Sequence, residues 1–491
     1  MAEEKKIVGF NPSDIKEGAE VDENNPWEDD ALGRQEFAKP LTDWVRIAGD
    51  APFGIAVDGK WGSGKTFLLQ RWCSEFSKQG KAIYFNAWED DFHTDPLTAI
   101  IGQLWSAIEG DGWEEICNLW KEKCGTIIKK KALNHVGLEE DDLQTASGRA
   151  VKEYLDARQN INTLKERLKK LADATKEETG SPLVVVVDDL DRCCPTFAIK
   201  LLERVKHVVG VQGIAFVFGV DQKQLEASIQ SVYGEIDATD YLRRFFGFGM
   251  VLPQVDASKY CAYLIEKHKI AEAIEESPVH KLKYKQEGWE SDWRYAVGEM
   301  PAMSGYMRLS LRQIEQAVRA WLFVLRSKEV AEKPAMYMFE GSLVIFILLK
   351  IKNRDMYKRF FNGDCDSQEV MNYLFGFLPW EEVQGDEHKK RTDCIVCIVL
   401  ACYFFYERNE CLKIVDEFEQ ANKMEFDEPL PNKYRYVPQK IVEMKNRDTR
   451  QNLILRLLSS IKKAKNAKQS QKPPSLQKVA RFLEWGDNWR V

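Results

Sequence analysis

At 491 residues the chain is too long for one small core, and its length points to about three domain-sized units. With 44% hydrophobic and 30% charged residues it has an ordinary globular composition, which excludes a wholly disordered or collagen-like chain. The formal charge of −7 is uneven: residues 433–491 hold 15 Lys/Arg against 4 Asp/Glu, so that +11 there offsets −18 elsewhere.

The first residues, MAEEKKIVGF, lack the apolar stretch of a signal peptide. The longest uncharged apolar run, CIVCIVLACYFFY (394–406), is shorter than the roughly 18 residues of a membrane-crossing helix. The 11 cysteines mostly lack paired spacing and fit reduced thiols. A soluble, cytoplasmic protein with no membrane span is expected.

Residues 1–25 are polar and acidic and read as a flexible arm. From 26 to 253, β-branched or aromatic runs alternate with helical segments, the pattern of a parallel α/β sheet. The runs are FGIAV (53–57), AIYFN (82–86), LVVVV (183–187), IAFVFGV (214–220) and GMVL (249–252). Their unbroken apolarity suits strands covered by helices on both faces. Between the second and third lies a long helical insert, about 97–180, with Ile161, Leu164, Leu168 and Leu171 on one helical stripe. Packing on the insert's own core is the plain expectation for that stripe, and a partner surface the alternative. Residues 254–430 read as an all-helical domain, DEPLPNKYRYVP (427–438) as a proline-rich break, and 431–491 as a basic helical tail.

The stretch DGKWGSGKTFLLQRW (58–72) follows a buried-strand pattern and opens a helical one. Gly59, Gly64, Lys65 and Thr66 satisfy G-x4-G-K-[ST], with Lys60, Trp61, Gly62 and Ser63 inside the loop and Phe67 just after it. In that setting backbone N–H groups and the positive end of a helix converge where phosphates are stabilised. Lys65 would neutralise β- and γ-phosphates, and Thr66 would offer its hydroxyl to Mg²⁺. A capping glycine turn is the bland alternative. The strand LVVVV then runs into Asp188 and Asp189. Asp188 would hold Mg²⁺, usually through its waters, and Asp189 would polarise an attacking water as general base. Asp191 and Arg192 either pair with each other or turn Arg192 towards a neighbouring subunit.

Together these motifs resemble the KAP family of P-loop NTPases, relatives of the AAA-type and STAND ATPases. The resemblance rests on DALGRQEFA (30–38), GKWGSGKT (59–66), FNAW (85–88), VVVVDDLDRCCP (184–195), FVFGVD (216–221), YLRRFFGFGMVLP (241–253) and LSLRQIEQAVRA (309–320). It implies a sheet of strand order 5-1-4-3-2 and a Mg²⁺-dependent ATPase, with ATP preferred over GTP on resemblance alone. It assigns Asn86 to restraining the catalytic acid and Asp221 to sensing the γ-phosphate or attacking water. Arg243 or Arg244 resembles an arginine finger, and Arg312 a second sensor coupling nucleotide state to domain angle. Each also has a plain structural role open to it: a cap, a turn, or a solvated charge. Many members carry membrane-spanning helices between the phosphate loop and the acidic strand. Here that segment, including KEKCGTIIKKKALNHV, is charged and amphipathic.

The arginines after the third and fourth strands point to a site shared between subunits, hence a homo-oligomer, and the resemblance further implies separate effector or partner proteins and a setting in defence against bacteriophage. Cys394 and Cys397 form a C-x-x-C with no second pair, so core packing is expected for them and for Cys402. Cys193 and Cys194 are expected as packed thiols. The tail from 440 to 491, with Trp485 and Trp489, could track a nucleic-acid backbone or meet an acidic partner. Two rival functions stay open: a nucleotide-gated scaffold with little turnover, and a translocase or DNA-binding ATPase stimulated by nucleic acid.

Overall fold

The computed structural model describes residues 21–48, 54–92, 95–107, 142–276, 292–326 and 340–379, with scattered positions between 391 and 458. The first 20 residues of the arm, residues 108–141 of the insert, Cys397, and the tail from 459 with Trp485 and Trp489 lie outside the described residues. The chain divides into two compact units, 1–254 and 255–491.

In chain order the first unit runs α1 (Arg34–Ala48), β1 (Gly54–Asp58), α2 (Lys65–Phe76), β2 (Lys81–Asn86), α3 (Pro96–Ala107) and α4 (Asp142–Thr179). After these come β3 (Leu183–Asp188), a short 3₁₀ turn (Leu190–Arg192), α5 (Pro195–Arg204) and β4 (Ile214–Val220). The unit ends with α6 (Gln222–Tyr233), α7 (Ala238–Leu242) and β5 (Phe246–Val251). The five strands form one sheet in the order β2-β3-β4-β1-β5, with every neighbouring pair parallel. Read from the other edge this is 5-1-4-3-2, the order implied by the family resemblance. The result is a P-loop NTPase-like α/β fold with helices on both faces.

Alternation along the strands divides two cores. Ile55 and Val57 of β1, Val184 and Val186 of β3, and Ala215 and Val217 of β4 pack with Leu41 and Val45 of α1 and Leu68, Trp72 and Phe76 of α2. On the opposite face Ala56, Val185, Val187 and Phe218 pack with Ile100 of α3, Phe197 and Leu201 of α5, and Leu225 of α6. Strands buried on both sides read as continuous apolar runs, which is why β3 could be LVVVV. Leu164, Leu168 and Ala172 of α4 join this second core directly. The stripe expected to serve the insert's own core therefore covers the sheet. Gly213, just before β4, leaves the room: a Cβ there would lie 2.8 Å from that of Ala172.

On the α1–α2 side, Trp72 is fully buried and its indole donates to Thr42 Oγ1 at 3.0 Å. Arg71 is 2% exposed, lies over the Phe67 ring, and meets both carboxylate oxygens of Asp29 at 2.8 Å. These contacts fix the helix that begins at the glycine-rich loop.

Every described element of the second unit is a helix: α8 (Ala257–Lys267), α9 (Ile270–Glu276), α10 (Asp292–Tyr306), α11 (Leu311–Arg326), α12 (Glu340–Lys352), α13 (Arg354–Asn362) and α14 (Ser367–Phe375). Its core includes Trp321, Phe346, Tyr357 and Phe375, together with Cys394 and Cys402. Burial raises the Cys402 thiol pKa far above its ordinary range, consistent with a packed rather than reactive group. No described helix is long and apolar enough to cross a membrane.

Candidate functional site

The loop between β1 and α2 is built by glycines at positions that favour glycine through backbone angle or space. Gly62 and Gly64 have φ of 75° and 89°, in the left-handed region. Gly59 is needed for space, since a Cβ there would lie 2.7 Å from Ser63 Oγ and 3.2 Å from Leu252 Cβ. Gly64 N-caps α2, so the amides of Lys65 and Thr66 open the helix with no intrahelical acceptor. Lys65 is 5% exposed, and its ammonium donates to the Gly59 carbonyl at 2.5 Å, folding back over the loop. Arg34 braces the loop from outside. Its guanidinium donates to Ser63 O at 3.0 Å and to Pro253 O, past the end of β5, at 3.2 Å.

The acidic half comes from the carboxyl end of β3. Asp188 is fully buried, and both of its oxygens accept a bond. Oδ1 takes the Asp189 amide at 2.9 Å, and Oδ2 takes the Tyr84 hydroxyl, from β2, at 2.8 Å. The neighbouring β4 makes room with Gly219, where a Cβ would lie 2.4 Å from Asp188 Oδ1. Asp189 has φ of 55°, a left-handed conformation rare for a non-glycine residue, of the kind that clusters at functional sites. Burial, then the neighbouring Asp188, raises its carboxyl pKa to about 6, with Arg192 and Lys65 opposing the rise. Arg192 contacts Asp189 Oδ1 through Nε at 3.1 Å.

Of the two sequence alternatives for Asp191 and Arg192, the mutual pair is absent among these contacts. Arg192 holds Asp189 and lies 5.7 Å over the Trp88 ring, whereas Asp191 accepts a hydrogen bond from the Trp61 indole. Asp221, after β4, accepts the Trp61 amide at 3.2 Å and is 7% exposed. Trp61 thus links the phosphate loop to both the β3 and β4 ends. Asn86 ends β2, but its side chain serves the turn after it: Nδ2 donates to Glu89 at 2.7 Å and Oδ1 accepts from Trp88 N at 3.2 Å. The described restraint on Asp189 comes from Arg192 instead.

Thr66 and Phe67 lie half-buried in the first turn of α2, Lys60 is exposed, and Trp61 is 49% exposed. Arg243 and Arg244 are exposed just before β5. The β1–β5 register pairs Gly54, the start of β1, with Phe246. The two arginines therefore sit at the end of the sheet opposite the phosphate loop, a strand length of roughly 16 Å away. Arg312 belongs to the second unit, as the second residue of α11, and is exposed there. Cys193 is buried, its thiol pKa pushed up by burial, while Cys194 departs from the expected packing. It is exposed, its amide donates to Asp91 at 3.1 Å, and a bond with Thr196 lowers its thiol pKa.

Residue-by-residue reading of the sequence missed Arg34, Tyr84 and Gly219. Arg34 stood inside a quoted motif without a role. Tyr84 carried one signal: it is two residues before Asn86, on the strand face that a partner of Asp188 must use.

These residues fit a nucleotide with Mg²⁺. Ser63 Oγ is buried inside the loop without a hydrogen-bond partner, and a Cβ on Gly59 would fill the same space. Asp188, Asp189, Asp191 and Asp221 are all buried, and the cations felt there are Lys65 at Asp189 and Asp191 and Arg192 at Asp189, an excess of negative charge that favours a divalent cation. Among the described residues no three ligating side chains form a closed metal cage. Mg²⁺ requires none, because it keeps several waters and is shared with phosphates.

A comparison with curated proteins gives no match. Among solved structures the chain is similar to the ORC2 protein of Aeropyrum pernix in its ADPNP–ADP complexes. The two share 14% identity over 87% of this chain and 95% of that one, with a TM-score of 0.33. Residues 34–320, more than half the chain, match the KAP family P-loop domain. With its glycine loop, acidic strand and 5-1-4-3-2 sheet, the chain belongs to the KAP family of P-loop NTPases.

Proposed function

We propose that the protein is an ATPase: it binds ATP with Mg²⁺ and hydrolyses it to drive conformational change in an assembly of several subunits. The observation that carries this reading is the meeting of two halves at one point. Trp61 of the glycine loop bonds Asp191 and Asp221 at the ends of β3 and β4, and the Lys65 charge is felt at both Asp189 and Asp191. In this reading the loop amides and Lys65 hold the β- and γ-phosphates, while Thr66 and Asp188 hold the metal. Bound Mg²⁺ supplies charge neutralisation across the phosphates. Asp189 accepts the proton of the attacking water, a task suited to a carboxylate raised towards neutral pH. Asp221 keeps the loop in register through the Trp61 amide.

The assembly is supported by the position of Arg243 and Arg244. They are too far from their own loop to neutralise charge there, so a finger role requires a neighbouring subunit. Arg312 is carried as the second sensor and separate polypeptides as effectors, both on family resemblance.

One contact favours a second reading, a nucleotide-gated scaffold with little turnover: Asp189 Oδ1 is already engaged by Arg192. Steady-state phosphate release from wild type and Asp189→Asn separates the two. Release by wild type well above the variant supports the ATPase, and equal release supports the scaffold. Calorimetry that finds no Mg²⁺-dependent triphosphate uptake, or uptake that survives Lys65→Ala, defeats both.

A further inference from the structure

From the hydrogen bond between β2 and β3 we infer that Tyr84 is a positioning residue for the metal-binding acid, setting the Mg²⁺ requirement of the site by fixing the Asp188 carboxylate. The inference rests on the nucleotide-binding reading above and adds a residue to it.

The register explains how this tyrosine does so. Tyr84 pairs with Val186 and Asn86 with Asp188, so Tyr84 stands two residues below Asp188 on the adjacent strand. Side chains two apart share a face, and Val184, Val186 and Tyr84 all pack on the α2 side. A phenol is long enough to span that step, and its hydroxyl reaches Asp188 Oδ2 at 2.8 Å. Gln70 of α2 lines the same cleft as Tyr84.

The carboxylate is held from three sides. Tyr84 donates to Oδ2, the Asp189 amide donates to Oδ1, and Gly219 admits the group only because it lacks a Cβ. A carboxylate has about four acceptor positions. Two are used here, which leaves one on each oxygen for a metal or its water. The two protein donors decide which way those free positions point. Partners behind a metal ligand commonly govern affinity in this way, typically by 10–100-fold. The competing view is that Tyr84 merely satisfies a buried carboxylate. It predicts a loss of stability with no change in metal dependence.

Tyr84→Phe removes only the hydroxyl. The ring borders an open cleft with Gln70, Ser74 and Lys78, so the change seals no void. Calorimetric titration of the full chain with ATP, first with EDTA and then across a Mg²⁺ series, gives the decisive readout without turnover. The expected result is metal-free ATP affinity within twofold of wild type and a half-saturating Mg²⁺ concentration raised about tenfold. In an Asp188→Asn background the same change should have no further effect on Mg²⁺ dependence. An unchanged Mg²⁺ dependence in folded Tyr84→Phe overturns the inference, as does an equal added effect beside Asp188→Asn. Should Tyr84→Phe not fold, Gly219→Ala crowds the same carboxylate from β4, and wild-type Mg²⁺ dependence in that variant overturns it too. Failure of wild type itself to take up ATP with Mg²⁺ would overturn the nucleotide reading and this inference together, whereas uptake by wild type with an identical Tyr84→Phe overturns this inference alone.

Discussion

The Trp61 indole of the phosphate loop donates to the Asp191 carboxylate of the turn after β3, joining the two halves of the site by one side-chain bond. Because Trp61 N also donates to Asp221, this residue is fixed at both its backbone and its ring. The loop is thus held in a defined shape by acids from two strand ends, which lowers the cost of ordering it around phosphates.

Asp191→Ala is therefore expected to weaken ATP binding about ten- to a hundredfold, since a hydrogen bond to a charged group contributes on the order of 1.5–3 kcal/mol. Calorimetry measures the affinity. Trp61 emission should also shift on ATP addition in wild type and shift less in the variant. Unchanged affinity together with an unchanged emission response would refute the role given to this bond.

Asp189→Asn is expected to lower phosphate release by at least about a hundredfold while leaving ATP affinity within a few-fold, the signature of a lost general base. Malachite-green assay and calorimetry on the same preparation check the two halves. A parallel loss of affinity would mean that Asp189 binds rather than reacts.

The same carboxylate should set a pH dependence of stability. Burial and Asp188 raise its folded-state pKa from 3.8 to about 6, so between those values the folded chain binds more protons than the unfolded one. Stability must then fall as pH rises through this window, and the loss is complete above it. Asp189→Asn removes the titrating group. In nucleotide-free, metal-free protein it should be more stable than wild type by on the order of 1–2 kcal/mol at pH 7.5, with the advantage shrinking towards pH 4. Urea denaturation at several pH values measures the difference, and a pH-independent gap would contradict the assignment.

Arg71 and Asp29 form a bidentate pair with the arginine almost fully buried. Asp29→Ala leaves that guanidinium without its partner and is expected to cost about 3 kcal/mol. Arg71→Met, which also removes the charge, should cost less. Chemical denaturation of both variants tests the ranking, and the reverse order would show that the pair matters for packing rather than charge.

Mixing tests whether the far-end arginines act between subunits. Lys65→Ala alone and the double variant Arg243→Ala/Arg244→Ala alone should each show little phosphate release. Mixed, they should regain measurable turnover, because intact loops of one variant then meet intact arginines of the other. No recovery in co-assembled mixtures would remove the finger role.

Much of this site is visible in short segments of chain. The glycine spacing of 59–66 dictates a loop with left-handed residues before a helix, because Gly62 and Gly64 adopt positive φ and a Cβ at Gly59 would crowd Ser63 and Leu252. Four valines ending in two aspartates dictate a doubly covered strand with acids at its carboxyl end. Both are local properties: backbone conformation, side-chain size and apolar period act over a few residues. The strand order agreed with the sequence reading through family resemblance, since nothing in one strand names its neighbour.

Other features were decided only when strands far apart in sequence came into register. Tyr84 meets Asp188 because β2 and β3 pair in parallel with that offset. Arg192 takes Asp189 rather than Asp191 because the left-handed Asp189 turns the chain within three residues, leaving Asp191 to Trp61. The stripe of α4 covers the sheet because Gly213 lets Ala172 approach. Sequence by itself determined which groups this protein possesses and the local backbone that presents them. Tertiary structure decided which groups meet, because parallel strands are joined by long crossovers and their pairing register is set by the assembled core rather than by any one segment.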